Sequence, residues 1–337
     1  MAPSTQTIDA VVSRSGGDLA NPESLIDAQR PVPEATGRDL LVDVRALSVN
    51  PVDVKVRASD HPSGKDRVLG WDASGVVVAA GPDASLFSVG DEVYYAGDLT
   101  RDGSYATHQL VDERIVGRKP RTLSHPEAAA LPLTTITAWE GLFDKLRLDS
   151  TSAGTLLVVG GAGGVGSILI QLAKKLTSLR VIATASRPES QAWAREMGAD
   201  EVVDHSADLE AHVRQVAPDG VEYIFTTQTE GKLPVFNAVI KPFGQIVAVD
   251  DAKDISSFKS KSVSWHWEFM FARSMHQAPD MVRQHELLNR VADLVDGGEL
   301  RTTLTETLSP FSADSVRRAH AMIEAGHTIG KVVISRD

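Results

Sequence analysis

The chain has 337 residues, 42% of them hydrophobic, a length that suits two domains each able to bury a core. Its formal net charge is −11 with no basic block, which argues against a nucleic-acid surface or attachment to anionic lipid, so neither nucleic acid nor membrane is expected as a partner. Cysteine is absent, which excludes disulfides and thiolate chemistry, and residues 1–20 read as polar with no signal-peptide core and no later run of transmembrane length, so a cytoplasmic protein is expected.

The first third carries short strand-like runs at 40–49, 73–80 and 92–95, separated by turn signals at Pro31 and Pro33, Gly81-Pro82, Gly90-Asp91 and Asp102-Gly103. That texture predicts a partly open antiparallel barrel. It changes at Ser124, which is placed to cap a helix over 126–131 with Pro126 in the first turn. Strands then alternate with helical stretches, at 155–160, 180–185, 201–204, 221–226, 244–249 and about 262–267. Alternation of this kind predicts an α/β fold with a doubly wound, parallel, six-stranded sheet. A long helix near 281–295 follows, and 302–337 reads as strand, helix, strand, returning to the barrel. The expected division is 1–125 plus 269–337 for the barrel domain and 126–268 for the inserted nucleotide fold.

The most specific signal is the glycine pattern at the end of the 155–160 strand. Gly161, Gly163 and Gly166 form G-x-G-x-x-G, followed at once by a helical segment. The three glycines serve a tight turn, close backbone approach to a pyrophosphate, and close helix–strand packing. The backbone at Gly164 and Val165 belongs to the same phosphate-facing helix start. The next strand ends in Ser186-Arg187-Pro188, with no carboxylate to accept bonds from a ribose 2′-hydroxyl. Arg187 can fork onto a 2′-phosphate and Ser186 can add a donor, which favours NADPH over NADH; the plainer alternative makes Ser186 a helix N-cap and Arg187 a surface charge. Thr226 and Gln228 after the fourth strand, and Val249 and Asp250 after the fifth, fall at the carboxyl ends of the sheet, where ligands bind.

Several motifs carry a family resemblance: Asn50-Pro-Val-Asp53, Leu69-Gly-Trp-Asp-Ala-Ser-Gly75, Val89-Gly-Asp-Glu-Val93, Gly103-Ser-Tyr-Ala-Thr107 and the run Ala130 to Trp139, together with the glycine loop. In this order they resemble the medium-chain dehydrogenase/reductase superfamily, and within it the zinc-lacking, quinone oxidoreductase-like branch. The resemblance covers nearly the whole chain and implies a Rossmann domain inserted in a GroES-like barrel. Zinc-dependent members carry a ligand Cys where this chain has Asn50 and a ligand His where it has Trp71, with an acid at Asp72. Their hydroxyl relay falls at Val52, and their structural-zinc lobe shrinks to the 96–103 loop. Zinc needs three or four converging N, S or O ligands. Indole cannot ligate, and His61, His108 and His125 stand at unrelated positions, so no metal is expected.

Without a metal to stabilise an alkoxide, the implied chemistry is NADPH-dependent reduction of quinones or α,β-unsaturated carbonyls, in which donors meet charge building on the conjugated oxygen. The resemblance to plant enone and quinone reductases makes Lys55 a catalytic candidate, a buried ammonium with lowered pKa; the alternative is a solvated lysine on a strand or short helix. Asn50 can donate its amide N–H to the substrate or the nicotinamide ribose, or form an Asx-turn before Pro51. Trp71, Tyr95 and His266 are candidate pocket residues, each with packing as its alternative. In relatives a threonine at Thr134 contacts the nicotinamide side of the cofactor. The sixth strand carries Trp265 and Trp267 on one face and His266 on the other. Left as an edge it is a liability, which implies a homodimer through the nucleotide folds. Two other readings stay open: a non-catalytic NADPH-binding protein, and a zinc alcohol dehydrogenase with unusual ligands.

Overall fold

The computed structural model describes residues 6–14, 17–59 and 66–336. Its contacts divide the chain into two compact units, Met1–Leu133 with Phe271–Asp337, and Thr134–Met270. The first boundary falls after the position expected from sequence. The helix His125–Ala129 packs with the first unit, where Ala129 and Ala130 share a core with Ala46 and Val333.

In the first unit, the long strand Asp39–Ser48 is the hub. Ala73–Ala80 pairs antiparallel along its length, while His108–Asp112 takes its first half and Lys331–Ser335 its end. Glu92–Tyr95 and Val116–Arg118 extend the sheet on one side and Leu304–Leu308 on the other, the last in parallel with Lys331–Ser335. A strand that changes partner midway curls a sheet toward a barrel, and the unit has the GroES-like architecture. A second sheet orders Ile26–Pro31, Thr7–Ser13 and Arg67–Val68. Thr7–Ser13 corrects the reading of the N-terminal segment as merely polar, because Ala10, Val11 and Val12 are fully buried. Three apolar residues in a row are too few to announce a strand when Asp9 and Ser13 flank them.

The second unit is a parallel sheet in the order Glu201–Val203, Arg180–Thr184, Thr155–Val159, Val221–Thr226, Ile240–Ala248, Ser264–Trp267. This is the doubly wound order, reversing direction at the Thr155–Val159 strand. Central strands are apolar on both faces; Leu156, Leu157, Val158 and Val159 are all buried. That is what a parallel sheet covered by helices requires. The switch point places the end of the central strand, and the glycine loop after it, at the sheet's ligand-binding edge.

Candidate active site

In the second unit the glycine loop separates packing from recognition. A Cβ on Gly161 would lie 2.7 Å from the Ala183 Cβ, and one on Gly166 only 2.3 Å from the Gly160 carbonyl oxygen. A Cβ on Gly163 would meet nothing nearer than 3.5 Å. Protein packing therefore demands glycine at 161 and 166 but not at 163, where a side chain would instead fill the space a phosphate needs. Gly163 caps the helix Gly164–Leu176, which has no side-chain cap and no acid in its first turn. The first-turn N–H groups of Gly164, Val165 and Gly166 have no intrahelical acceptors. Ser167, unforeseen from sequence, steadies the loop by donating to the Gly163 carbonyl at 2.7 Å and accepting the Trp193 indole N–H at 2.8 Å. These residues fit a dinucleotide phosphate.

Arg187 and Ser186 are half-buried at the start of the helix Pro188–Glu196. The N-cap is Arg187 and not Ser186. The Arg187 backbone N–H donates to Ser190 Oγ at 3.1 Å, and that hydroxyl donates back to the Arg187 carbonyl at 2.9 Å. Ser186 is thus left over for other partners. Thr226 is buried and accepts the Gln228 N–H at 3.1 Å, while Gln228 itself is exposed. Val249 donates its N–H to the Thr226 carbonyl at 3.1 Å. Both Asp250 carboxylate oxygens are engaged by Thr229, from its N–H at 2.7 Å and its hydroxyl at 2.6 Å, so Asp250 shapes the loop instead of presenting a free acid. Thr134 is buried, as is Thr135, whose hydroxyl has no partner among the described residues. His266 lies half-buried with Nε2 3.3 Å from Gln245 Oε1, and burial holds its pKa below the usual histidine value. Trp265 and Trp267 share the other face, ring centroids 5.7 Å apart.

In the first unit, Asn50 caps the helix Pro51–Ala58. Helical spacing turns Asp53 and Arg57 inward together and leaves Lys55 outward. Lys55 is accordingly exposed, which corrects the expectation of a buried ammonium. Lys331, unremarked in the sequence reading, is by contrast buried. Its Nζ lies 3.1 Å from Asp72 Oδ2 and 3.3 Å from the Val49 carbonyl oxygen, and it also donates to Asn50 Oδ1. The Asn50 amide donates to the same Asp72 Oδ2 at 2.9 Å, and the Leu133 N–H donates to Asp72 Oδ1 at 2.8 Å. Burial pushes the Asp72 carboxyl upward, while the Lys331 ammonium and these donors pull it back toward the charged form.

A second buried chain runs from Asp53. Its Oδ2 accepts the Asn50 backbone N–H at 2.9 Å and the Tyr105 hydroxyl at 3.0 Å; that hydroxyl is also 2.9 Å from His320 Nε2. Desolvation raises Asp53 to about 7 and lowers His320 to about 3. Asp53 Oδ1 has no partner among the described residues. Tyr105 offers a phenol donor in sequence, with packing as its alternative, but His320 gives no functional signal there, since its meeting with Tyr105 depends on a helix more than two hundred residues downstream of the Asp53 turn.

Trp71, a candidate pocket residue with packing as its alternative, is fully buried; its indole N–H donates to the Asp98 carbonyl at 2.9 Å and its ring packs edge-on to Phe271. Tyr95 is also buried, but its hydroxyl has no partner among the described residues. The donor set does not suit zinc. The indole is a donor already engaged, and the Asn50 and Asp72 oxygens that could face a cation hold an ammonium. His125 bonds Ser74 at 2.9 Å and faces Glu92 at 3.3 Å, and His108 bonds Thr107 at 3.3 Å, while His61 lies outside the described residues. No group of three or more His, Asp or Glu side chains is arranged to hold a metal among the described residues.

Comparison with known proteins bears on these geometries. Residues 36–121 match the alcohol dehydrogenase GroES-like domain and residues 197–334 match the zinc-binding dehydrogenase family. A zinc-type alcohol dehydrogenase-like protein of Staphylococcus aureus (strain MSSA476) is 42% identical over 317 residues, covering 92% of this chain and 93% of its own. A solved structure from Rhizobium etli CFN 42, provisionally assigned as a zinc-dependent alcohol dehydrogenase, superposes with a TM-score of 0.94 at 49% identity, covering 98% of each chain. The chloroplastic NADPH-dependent alkenal/one oxidoreductase of Arabidopsis thaliana is 29% identical over 314 residues, covering 90% of this chain and 73% of its own.

Proposed function

This chain belongs to the medium-chain dehydrogenase/reductase superfamily as an oxidoreductase, and we propose that it is a metal-independent, NADPH-dependent enzyme reducing quinones or α,β-unsaturated carbonyl compounds. The observation that carries the reading is the Lys331 ammonium seated on the Asn50 and Asp72 oxygens beside an engaged Trp71 indole. A site so filled has no vacant acceptor set for a Lewis acid of the kind that would stabilise an alkoxide. Reduction of an electron-poor double bond needs only donors for the oxygen where charge collects.

The glycine loop at Gly161, Gly163, Gly164, Val165 and Gly166 would hold the pyrophosphate, Ser186 and Arg187 the 2′-phosphate, and Thr134, Thr226, Gln228 and Val249 the remainder of the cofactor. When bound, NADPH supplies the hydride. Asn50 donates one amide N–H to Asp72 and has a second for the substrate oxygen. The unpartnered Tyr95 hydroxyl is a further donor. Lys55, being exposed, serves as a cation at the surface of its helix and not as a desolvated acid. The Ser264–Trp267 strand ends the sheet and leaves Trp267 and Phe269 about half exposed, which supports a homodimer formed across that edge. No helix among the described residues is long and apolar enough to cross a membrane, and a cytoplasmic location is part of the proposal.

NADPH oxidation assayed against 1,4-quinones and enones, before and after exhaustive chelation, tests the reading. Turnover with at least one class, undiminished by chelation, is expected. No turnover with either class, or activity restored only by added zinc, would overturn it.

A further inference from the structure

Lys331 has no assigned part in the reduction, and the role argued for it rests on the reading above. It opens the Lys331–Ser335 strand and is 3% exposed. An ammonium has three N–H donors, and Lys331 has three acceptors: the Val49 carbonyl, Asn50 Oδ1 and Asp72 Oδ2. Saturated in this way, it has no donor left for a ligand, so its influence falls on its neighbours.

The neighbour that matters is the Asn50 amide. With Oδ1 on the ammonium and Nδ2 on the carboxylate, the amide has one satisfied orientation. Flipped, it would set N–H against N–H at Lys331 and oxygen against oxygen at Asp72. The opposite signs of the two buried charges thus lock the direction of the amide. Removing the ammonium undoes the lock twice over, because a buried Asp72 without its partner takes up a proton, and a neutral carboxyl donates as readily as it accepts. Either amide orientation is then satisfied.

We propose that Lys331 is a positioning residue, which fixes Asn50 so that its second amide N–H faces the reacting oxygen of the substrate. The buried Asp72–Lys331 pair is an orienting device, and Asn50 is the group that touches substrate.

The test uses Lys331→Met together with Asp72→Asn, which removes both charges at once and leaves no unpaired buried ion. Relative to wild type, kcat should fall about tenfold or more, the size of effect seen when a preorganised donor is lost, while the NADPH Kd stays within about twofold. Asn50→Ala should lower kcat in the wild-type background and add nothing in the double variant, as expected of groups acting as one unit. A separate readout needs no turnover. In protein labelled at asparagine, where Asn21, Asn50, Asn237 and Asn289 supply the signals and the Asp72→Asn change adds one further pair in the double variant, the two side-chain amide protons of Asn50 should be displaced from the shifts of a free asparagine and slow to exchange with water in wild type, and should move toward those shifts and exchange fast in the double variant. Unchanged amide signals, wild-type kcat, or additive losses with Asn50→Ala would each overturn the proposal. Absence of quinone and enone turnover in wild type would overturn the functional reading instead, and the amide signals would still decide the role of Lys331.

Discussion

Gly163 and Gly166 stand three residues apart in one loop, yet the geometry separates what each does. Gly166→Ala would place a Cβ 2.3 Å from the Gly160 carbonyl oxygen and 2.7 Å from the Gly161 Cα, both backbone atoms that cannot swing aside. Overpacking of this kind costs about 1–3 kcal/mol and sometimes more. With a conversion of roughly 2–4 °C per kcal/mol, the ligand-free thermal midpoint should drop by several degrees. Gly163→Ala meets no atom nearer than 3.5 Å, and its backbone, at φ −73° and ψ 174°, is open to any residue. The gain from a less flexible unfolded chain roughly offsets the loss of a better helix cap, leaving stability within about 1 kcal/mol of wild type. The added methyl instead stands where a pyrophosphate must approach the backbone, so NADPH affinity should fall at least about tenfold, or roughly 1.4 kcal/mol. Thermal melts without ligand and calorimetric titration with NADPH read the two effects apart. The reasoning fails if Gly163→Ala binds NADPH like wild type, or if it melts as low as Gly166→Ala.

Arg187→Ala should weaken NADPH by about 10- to 100-fold, the worth of a charge-assisted contact, and NADH hardly at all; equal losses in parallel titrations would remove Arg187 from the 2′-phosphate. Asp53, raised from 3.8 to about 7 in the fold, contributes stability that is present below about pH 4 and lost as pH rises through 7. Asp53→Asn keeps an oxygen for the Asn50 N–H and the Tyr105 hydroxyl, so it should flatten that slope and be the more stable protein at about pH 8, by on the order of 4 kcal/mol at most; identical urea midpoints for the two proteins across this range would contradict the assignment. Tyr95→Phe removes a buried hydroxyl that no described residue partners, so stability should hold or rise by about 1 kcal/mol while the KM for quinone or enone increases; a lowered melting point with unchanged KM would make the hydroxyl structural. Lys55→Ala should leave the melting point and NADPH affinity unchanged, since the side chain is exposed; a lower kcat would show that it acts on the substrate.

Periodicity made the second unit readable. Buried parallel strands are short apolar runs, and Leu156 to Val159, Val181 to Ala183 and Ile246 to Ala248 show it directly. The glycine loop was readable because its spacing encodes backbone geometry. The first unit was less so. Thr7–Ser13 has only a brief apolar centre, and Pro51–Ala58 shows its helical period through the pair Asp53 and Arg57, an inward-facing charge pattern that resembles an outward one on paper. Lys55 was given the burial that belongs to Lys331 because burial of a lysine is set by tertiary pairing. Val333 opposite Ser48 is what carries the ammonium to Asn50 and Asp72. Its only local sign is that Lys331 opens the apolar run Val332, Val333, Ile334, a place where a charged residue must find a partner.

On the proposed reading, the departures at Asn50, Trp71 and Lys331 form one physical set. The resemblance implies that zinc-dependent members carry a ligand Cys at the Asn50 position and a ligand His at the Trp71 position, beside an acid at the Asp72 position. Replacing the imidazole by indole at Trp71 fills the volume and turns the donor toward Asp98, but leaves a carboxylate buried at 1% exposure with nothing to balance it. Such a charge either takes a proton or finds a cation. Lys331 is that cation, and because an ammonium donates where a metal accepts, it converts the Asn50 amide from a possible ligand into an aimed donor. A dipole and a saturated ammonium cannot lower an alcohol pKa as a Lewis acid does, but they can steady charge that arrives on a conjugated oxygen. On this proposal the exchange of ligands favours a class of substrate, acceptors that are already electron-poor.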